Sequence, residues 1–186
     1  MLILLKMEFI EVINSRKSIR SFTNNEIEQD KIEYICNCAR KAPSWMNKQC
    51  WNFIVVKNDE KINYIANASI INRWLKKAPV IIVACSDPLL SNKKNGIDYS
   101  IVDVAIAFEH LILAATDIGL ATCWIGGFNH EKVKNILEIP PRIKIIAMTP
   151  LGYPKNAEGI IEKSKKIITR NTKRKSLREI IHNDVW

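Results

Sequence analysis

A chain of 186 residues, 47% hydrophobic and 25% charged, has the size and balance of a soluble globular protein with one substantial core. The net charge of +9 invites a nucleic-acid reading, but apart from residues 163–175 the basic side chains are spread along the chain. No aromatic-basic platform or zinc-finger spacing accompanies them, so nucleic acid is disfavoured as a partner.

Residues 1–5 are apolar but lack a basic leader and stop at Lys6, too short for a secretory segment or a membrane span. A cytoplasmic protein is expected. Five cysteines without a secretion signal argue against a disulfide framework, and no Cys-x-x-Cys cluster marks zinc or an iron–sulfur centre. Cys50, Cys85 and Cys123 sit singly in apolar surroundings and read as buried, inert thiols.

Residues 8–15 form the first amphipathic stretch, with Phe9, Val12 and Ile13 at helical spacing. Arg16-Lys17-Ser18-Ile19-Arg20 comes next and reads as an anion-binding elbow: guanidinium forks match phosphate, and a hydroxyl lies between them. Ile32, Ile35, Cys36 and Ala39 predict a helix over 29–41, stopped by Pro43. A loop over 44–50 leads into a strand at 51–56, and helical stretches follow at 59–66 and 70–77. The continuous β-branched run at 80–85 predicts a buried central strand.

Residues 98–118 form the most hydrophobic helix, apolar on nearly every face and interrupted by Asp103, Glu109 and His110. Such a helix must be covered on more than one side, which a subunit interface achieves readily. Gly119 is a suitable stop. Strands at 120–125 and 143–148 enclose a helix at 131–137, and apolar residues resume only at Leu177, Ile180 and Ile181. The expected architecture is one α/β (α+β) domain over 1–186, a mixed central sheet sandwiched by helices, with a basic tail from about 155 to 186.

No nucleophile–base–orienter set is visible. His110, His130 and His182 are far apart, and neither Ser18 nor Ser44 lies in a Gly-x-Ser-x-Gly elbow. That pattern suits an enzyme whose chemistry is carried by a cofactor.

Four segments in order resemble the nitroreductase-like family: the Arg16–Ser18–Arg20 element, Ala42-Pro43-Ser44-Trp45-Met46-Asn47-Lys48-Gln49-Cys50-Trp51, Thr122-Cys123-Trp124-Ile125-Gly126-Gly127-Phe128, and Leu151-Gly152-Tyr153-Pro154 ahead of a C-terminal Arg174. The resemblance implies a nitroreductase-like fold and a homodimer built on the long central helix, with FMN held at the subunit interface. Arg16, with Ser18 in the same elbow as Lys17, matches the phosphate and ribityl contacts. Arg174 matches a C-terminal phosphate contact, with Lys173 a weaker second. Arg20 matches the cation near the flavin pyrimidine edge. Pro43, Ser44, Trp45 and Asn47 match the loop lent by the second subunit, and Gly126 and Gly127 match the turn beside the ring.

Trp45 stands where the family has a small residue, Cys50 where it has proline, and Gly126 where larger members have an acidic residue. The stretch between Asn67 and Lys77 does not align, so Asn72 and Arg73 receive no role. The implied activity is an FMN-dependent oxidoreductase taking hydride from NADH or NADPH to a nitroaromatic, quinone or similar small-molecule acceptor by a ping-pong route. With no Gly-x-Gly-x-x-Gly, the nicotinamide would visit the flavin pocket itself. The alternatives are a dehalogenating, dehydrogenating or flavin-destroying enzyme of the same fold, or a non-catalytic flavin or nucleic-acid binding protein.

Overall fold

The computed structural model describes residues 7–69, 71–155 and 174–186, which fall into two units divided after Pro154. The N-terminal apolar run and Lys173 lie outside the described residues.

In the first unit, helices α1 (Phe9–Ser15) and α2 (Gln29–Ala39) precede strand β1 (Trp51–Val56) and helix α3 (Asp59–Asn67). Strand β2 (Val80–Ser86), a hairpin of β3 (Lys93–Lys94) and β4 (Ile97–Asp98), and helix α4 (Tyr99–Asp117) come after them. Strand β5 (Ala121–Thr122), helix α5 (His130–Leu137) and strand β6 (Lys144–Gly152) complete it. Short 3-10 turns occupy Trp45–Asn47, Arg73–Lys77 and Pro88–Leu90.

The main sheet runs β1-β2-β6-β5 with antiparallel neighbours, and Ser18 adds a parallel bridge to Thr122 at its edge. Every residue of β2 is buried because the sheet is covered on both faces. Val80, Ile82 and Ala84 pack with Ile35, Val104, Phe108 and Leu111 of α2 and α4. Ile81, Val83 and Cys85 pack with Ile62, Ile65 and Val133 of α3 and α5. This alternation is the two-residue period of a strand, and each buried Ile or Leu contributes roughly 1.5–3 kcal/mol. The expected α/β sandwich is thereby formed.

α4 is capped by Asp98, whose Oδ1 accepts from the Ser100 N–H at 3.1 Å, and it is followed by Gly119 at φ 75°. By length and composition it is the one described helix that could cross a membrane. Its packing on α2 and the sheet accounts for that apolar character.

Three expectations are corrected. The helix expected at 70–77 is a 3-10 turn over Arg73–Lys77, with Ile70 outside the described residues. Of the amphipathic face on α1, only Val12 is buried; Phe9 is 74% exposed and Ile13 is exposed too. The strand expected at 120–125 is regular only at Ala121–Thr122, because Pro150 on β6 interrupts its ladder. Ala121 pairs with Gly152, Thr122 with Leu151, and, in the same register, Ile125 with Met148. The intervening partner of Cys123 would be Pro150, which has no N–H to donate.

Candidate functional site

After α1 the chain straightens, and the Ile19 N–H donates to the Thr122 carbonyl at 2.9 Å, laying residues 16–20 along the sheet edge. Ile19 packs inward against the cluster of Phe22, Ala78 and Ala121. Arg16, Ser18 and Arg20 flank it in the same short run. Their proximity is felt by one buried and one half-buried group. Burial pushes the Cys123 thiol up, partly offset by Arg20, a hydrogen bond to Ser18, and Arg16. Burial also raises the Glu109 carboxyl on α4, with Arg16 and His110 opposing it. The bridge of Ser18 to Thr122 sets this run beside Cys123, and Arg16, Ser18 and Arg20 all bear on its thiol, while Lys17 is exposed.

Residues 22 and 23 hold the elbow in place. Phe22 is buried and bridges to Pro154, and the Thr23 N–H donates to the Tyr153 carbonyl at 2.9 Å. A Cβ on Gly152 would lie 2.9 Å from Phe22 Cδ1 and 2.9 Å from Pro79 Cδ. Glycine in the Leu151-Gly152-Tyr153-Pro154 motif thus serves packing against the elbow's continuation.

Beyond the interrupted strand, Trp124 turns outward, 41% exposed, with its ring edge-on to Phe108 at 4.8 Å. Gly126 and Gly127 come next. A Cβ on Gly126 would meet nothing within 4 Å, one on Gly127 would only touch Ile71, and neither has positive φ. Nothing among the described residues requires glycine at either place, and the open space suits close approach by a ligand.

The Gly127 carbonyl accepts from Ser69 Oγ and from Asn72 Nδ2, both at 2.9 Å, and Asn72 Nδ2 also donates to Ser69 Oγ at 3.0 Å. Ser69 and Asn72 are each only 8% exposed. Two residues on from Asn72, the Trp74 ring lies 5.8 Å from the Arg20 guanidinium carbon. The stretch that the sequence could not align therefore braces both the turn and the elbow.

The 43–50 loop is built separately, at the start of α4. Its Trp45 N–H donates to Asp103 Oδ1 at 2.9 Å, and the Gln49 N–H donates to Ser44 Oγ at 3.0 Å. Asp103 is 2% exposed, and its Oδ2 accepts from Ser91 Oγ at 3.4 Å and Cys50 Sγ at 3.7 Å. Burial first, then Asp103, pushes the Cys50 thiol up to about 11. Cys50 in the proline position thus helps tie the loop to α4. Met46, Asn47 and Gln49 all adopt left-handed φ of 48–57°, a strained arrangement for side chains other than glycine. The Trp45 ring lies against Tyr99 with centres 4.2 Å apart and planes tilted by 40°, and its buried Nε1 has no hydrogen-bond partner among the described residues. Pro43, Met46 and Asn47 are exposed, and Ser44 is half-exposed.

Asp103 and Glu109 are six residues apart on α4, about 9 Å along its axis. No hydrogen bond, ion pair or ring contact joins the loop to the elbow among the described residues. One chain therefore gathers Arg16, Ser18, Arg20, Gly126 and Gly127 along one edge and carries Pro43, Ser44, Trp45 and Asn47 at another place. Arg174 belongs to the second unit, exposed ahead of the 3-10 turn at Leu177–Glu179. A cleft of about 500 Å³ lined by Thr23, Lys57, Lys76 and Lys77 includes none of these residues.

Sequence reasoning missed Ser69, Trp74 and Asp103. Only Asp103 carried a signal, as a carboxylate interrupting an apolar helix.

A sheet covered on both faces by helices, with an arginine elbow and a glycine turn at one edge, defines an α/β protein of nitroreductase-like build. The sequence model of the Nitroreductase family matches residues 13–72 and 68–153, and the chain belongs to that family. A nitroreductase family protein from Clostridium novyi NT is 43% identical, with a TM-score of 0.78 covering 81% of this chain and 87% of that one. An FMN-dependent nitroreductase from Clostridium difficile R20291 is 26% identical at a TM-score of 0.71, covering 87% of this chain and 99% of that one. An Archaeoglobus fulgidus protein provisionally named an NADH dehydrogenase/NAD(P)H nitroreductase is 34% identical over 159 residues, 83% of this chain and 90% of its own length.

Proposed function

We propose that this chain is an FMN-dependent oxidoreductase that takes hydride from NADH or NADPH and delivers it to a nitroaromatic, quinone or similar acceptor, working as a homodimer. The carrying observation is the pairing of two bare glycines, needed by none of the described residues, with Arg16, Ser18 and Arg20 on the same sheet edge. The names of relatives support the cofactor and the donor. Bound FMN would supply reversible two-electron transfer.

In this reading Arg16 and Ser18, with Lys17 beside them, hold the phosphate and ribityl chain through charge-assisted hydrogen bonds. Arg174 is the tail's candidate for the phosphate, and residues 1–186 are read as one flavin-binding domain. Arg20 places a cation at the pyrimidine edge, where negative charge accumulates on reduction. Gly126 and Gly127 let backbone N–H groups approach the ring, and the grip of Ser69 and Asn72 turns the Gly127 carbonyl away from that approach.

Pro43, Ser44, Trp45 and Asn47 would complete the partner's site. The exposed Phe9, Ile10 and Ile13 of α1, and the exposed Ile101 and Val102 at the start of α4, are the apolar side chains on offer for that contact. The three left-handed residues of the loop suit a shape completed by a second subunit. All five thiols are free, in keeping with a cytoplasmic enzyme.

Stopped-flow mixing of the flavin-loaded protein with NADH or NADPH is expected to bleach the flavin absorbance, which an added acceptor then restores. Failure of both nicotinamides to reduce the flavin would sink the reductase reading.

A further inference from the structure

Arg20 is exposed, and its guanidinium carbon lies 5.8 Å from the centre of the Trp74 ring. Its only described hydrogen bond is a long one, from Nη1 to the Ser18 carbonyl at 3.5 Å. The ion pairs among the described residues involve Lys31, Lys134, Arg142 and Lys144, so no carboxylate neutralises Arg20 there. Trp74, by contrast, is fixed. It is half-buried, stacks on Phe22 with ring centres 6.5 Å apart, and packs against two parts of the core. The turn carrying it is anchored by the Leu75 N–H donating to the Asn72 carbonyl at 2.9 Å.

We propose that Trp74 is a positioning residue for Arg20, holding the guanidinium on its face so that the charge is fixed in place without being cancelled. This rests on the reading that Arg20 serves the pyrimidine edge of FMN. A carboxylate would orient an arginine equally well, as Asp87 does for Arg142 at 3.0 Å. It would also set a negative charge beside the place where the reduced cofactor accumulates its own. An aromatic face attracts the cation through its quadrupole and carries no net charge. The arginine is thereby pre-ordered before reduction, and its full charge remains available to the reduced cofactor. The same stretch grips the Gly127 carbonyl through Ser69 and Asn72, so residues 69–74 support the site from behind at two points.

The test is the FMN midpoint potential of the wild type and of Trp74→Leu, Trp74→Phe, Arg20→Ala and the Arg20→Ala/Trp74→Leu double variant. Trp74→Leu is expected to weaken reduced FMN up to about tenfold more than oxidised FMN, a negative shift of up to about 30 mV. Trp74→Phe keeps a ring and should shift less. In the Arg20→Ala background Trp74→Leu should add nothing, because the ring acts only through Arg20.

A merely structural tryptophan would weaken both redox states alike and leave the potential unchanged. That result, or additive shifts in the double variant, overturns the proposal while the functional reading stands. Should Trp74→Leu not fold, Trp74→Phe with and without Arg20→Ala decides by the same comparison. An unchanged potential in Arg20→Ala would overturn both this proposal and the placement of Arg20 on which it rests.

Discussion

The Cys123 N–H donates to Oγ1 of Thr149 at 3.0 Å, and that hydroxyl in turn donates to the Pro150 carbonyl at 2.9 Å. The side chain of Thr149 thus bridges the place where Pro150 cannot donate to the sheet ladder. The register survives, since Ile125 and Met148 exchange both backbone hydrogen bonds two residues further on. Trp124 is released outward by the interruption, and the chain proceeds from there into the glycine turn.

Replacing Thr149 with valine keeps the shape but leaves a buried N–H unpaired. Such a group costs about 1–3 kcal/mol, and the loss should appear as a lower urea midpoint at unchanged slope. Thr149→Ser should recover most of it. Because the turn begins three residues beyond Cys123, the valine variant should also bind FMN more weakly than the serine variant. Equal stability of the valine variant and the wild type would show that the bridge is dispensable.

Gly152→Ala tests how the elbow is anchored. The added methyl would lie 2.9 Å from both Phe22 and Pro79, and overpacking of this kind costs roughly 1–3 kcal/mol. Thermal unfolding should show the loss, and a second change, Phe22→Leu, should return part of it by making room. A destabilisation unaffected by Phe22→Leu would place the strain elsewhere.

How much of the fold and site was legible in the sequence depends on the range of the forces involved. α2, β2, α4 and α5 lie within a few residues of their expected bounds because hydrophobic periodicity and local caps set them. The shortening of β5 was not legible, because its cause is a proline 27 residues further along the chain than Cys123. The 3-10 turn at Arg73–Lys77 is fixed by Trp74 lying against Phe22, a contact with no local pattern. The elbow was readable as a run of cations. The supports, Ser69 for the glycine turn, Trp74 for the elbow and Asp103 for the 43–50 loop, act on a distant carbonyl, guanidinium or N–H, and nothing in their spacing announces that.

Acid should loosen the joint between α2 and the end of β6. Tyr153 Oη donates to Glu28 Oε2 at 2.6 Å, Lys31 Nζ lies 3.2 Å from Glu28 Oε1, and Lys31 also contacts the Tyr153 hydroxyl. The Tyr153 hydrogen bond is the largest cause holding the Glu28 carboxyl down at about 2, against 4.5 ordinarily. A carboxyl depressed by folding stabilises fully above its unfolded value, and the contribution fades as pH falls from about 4.5 to about 2. Unfolding midpoints measured across that window should fall less steeply in Glu28→Gln than in the wild type. Parallel pH profiles would remove Glu28 from the acid response.

Phosphate anchoring and redox tuning should separate by residue. In the proposed reading, Arg16→Ala and Arg174→Ala should each remove a charge-assisted contact worth roughly 1.5–3 kcal/mol, with similar loss for oxidised and reduced FMN, since the phosphate does not change on reduction. Arg20→Ala should move the midpoint potential negative, and Arg20→Lys should restore much of it. A potential that moves with Arg16→Ala but not with Arg20→Ala would reverse the placement of the elbow around the cofactor.

The proposed homodimer makes the last prediction. Phe9 on α1 and Val102 on α4 are exposed in the single chain. Surface changes away from special features usually alter stability by no more than about 0.5 kcal/mol. In a monomer Phe9→Glu and Val102→Glu would therefore be nearly silent. In a dimer that buries them, two carboxylates would enter an apolar interface, where an unpaired charge is strongly disfavoured. Light scattering should then fall from about twice the 21.3 kDa chain mass to the mass of one chain. Flavin should be lost in the same step, because Ser44 and Asn47 would no longer reach the partner's site. A double variant that keeps both its dimer mass and its flavin would show that this face is not the interface, and a wild type of single-chain mass that retains flavin would show that the site needs no second subunit.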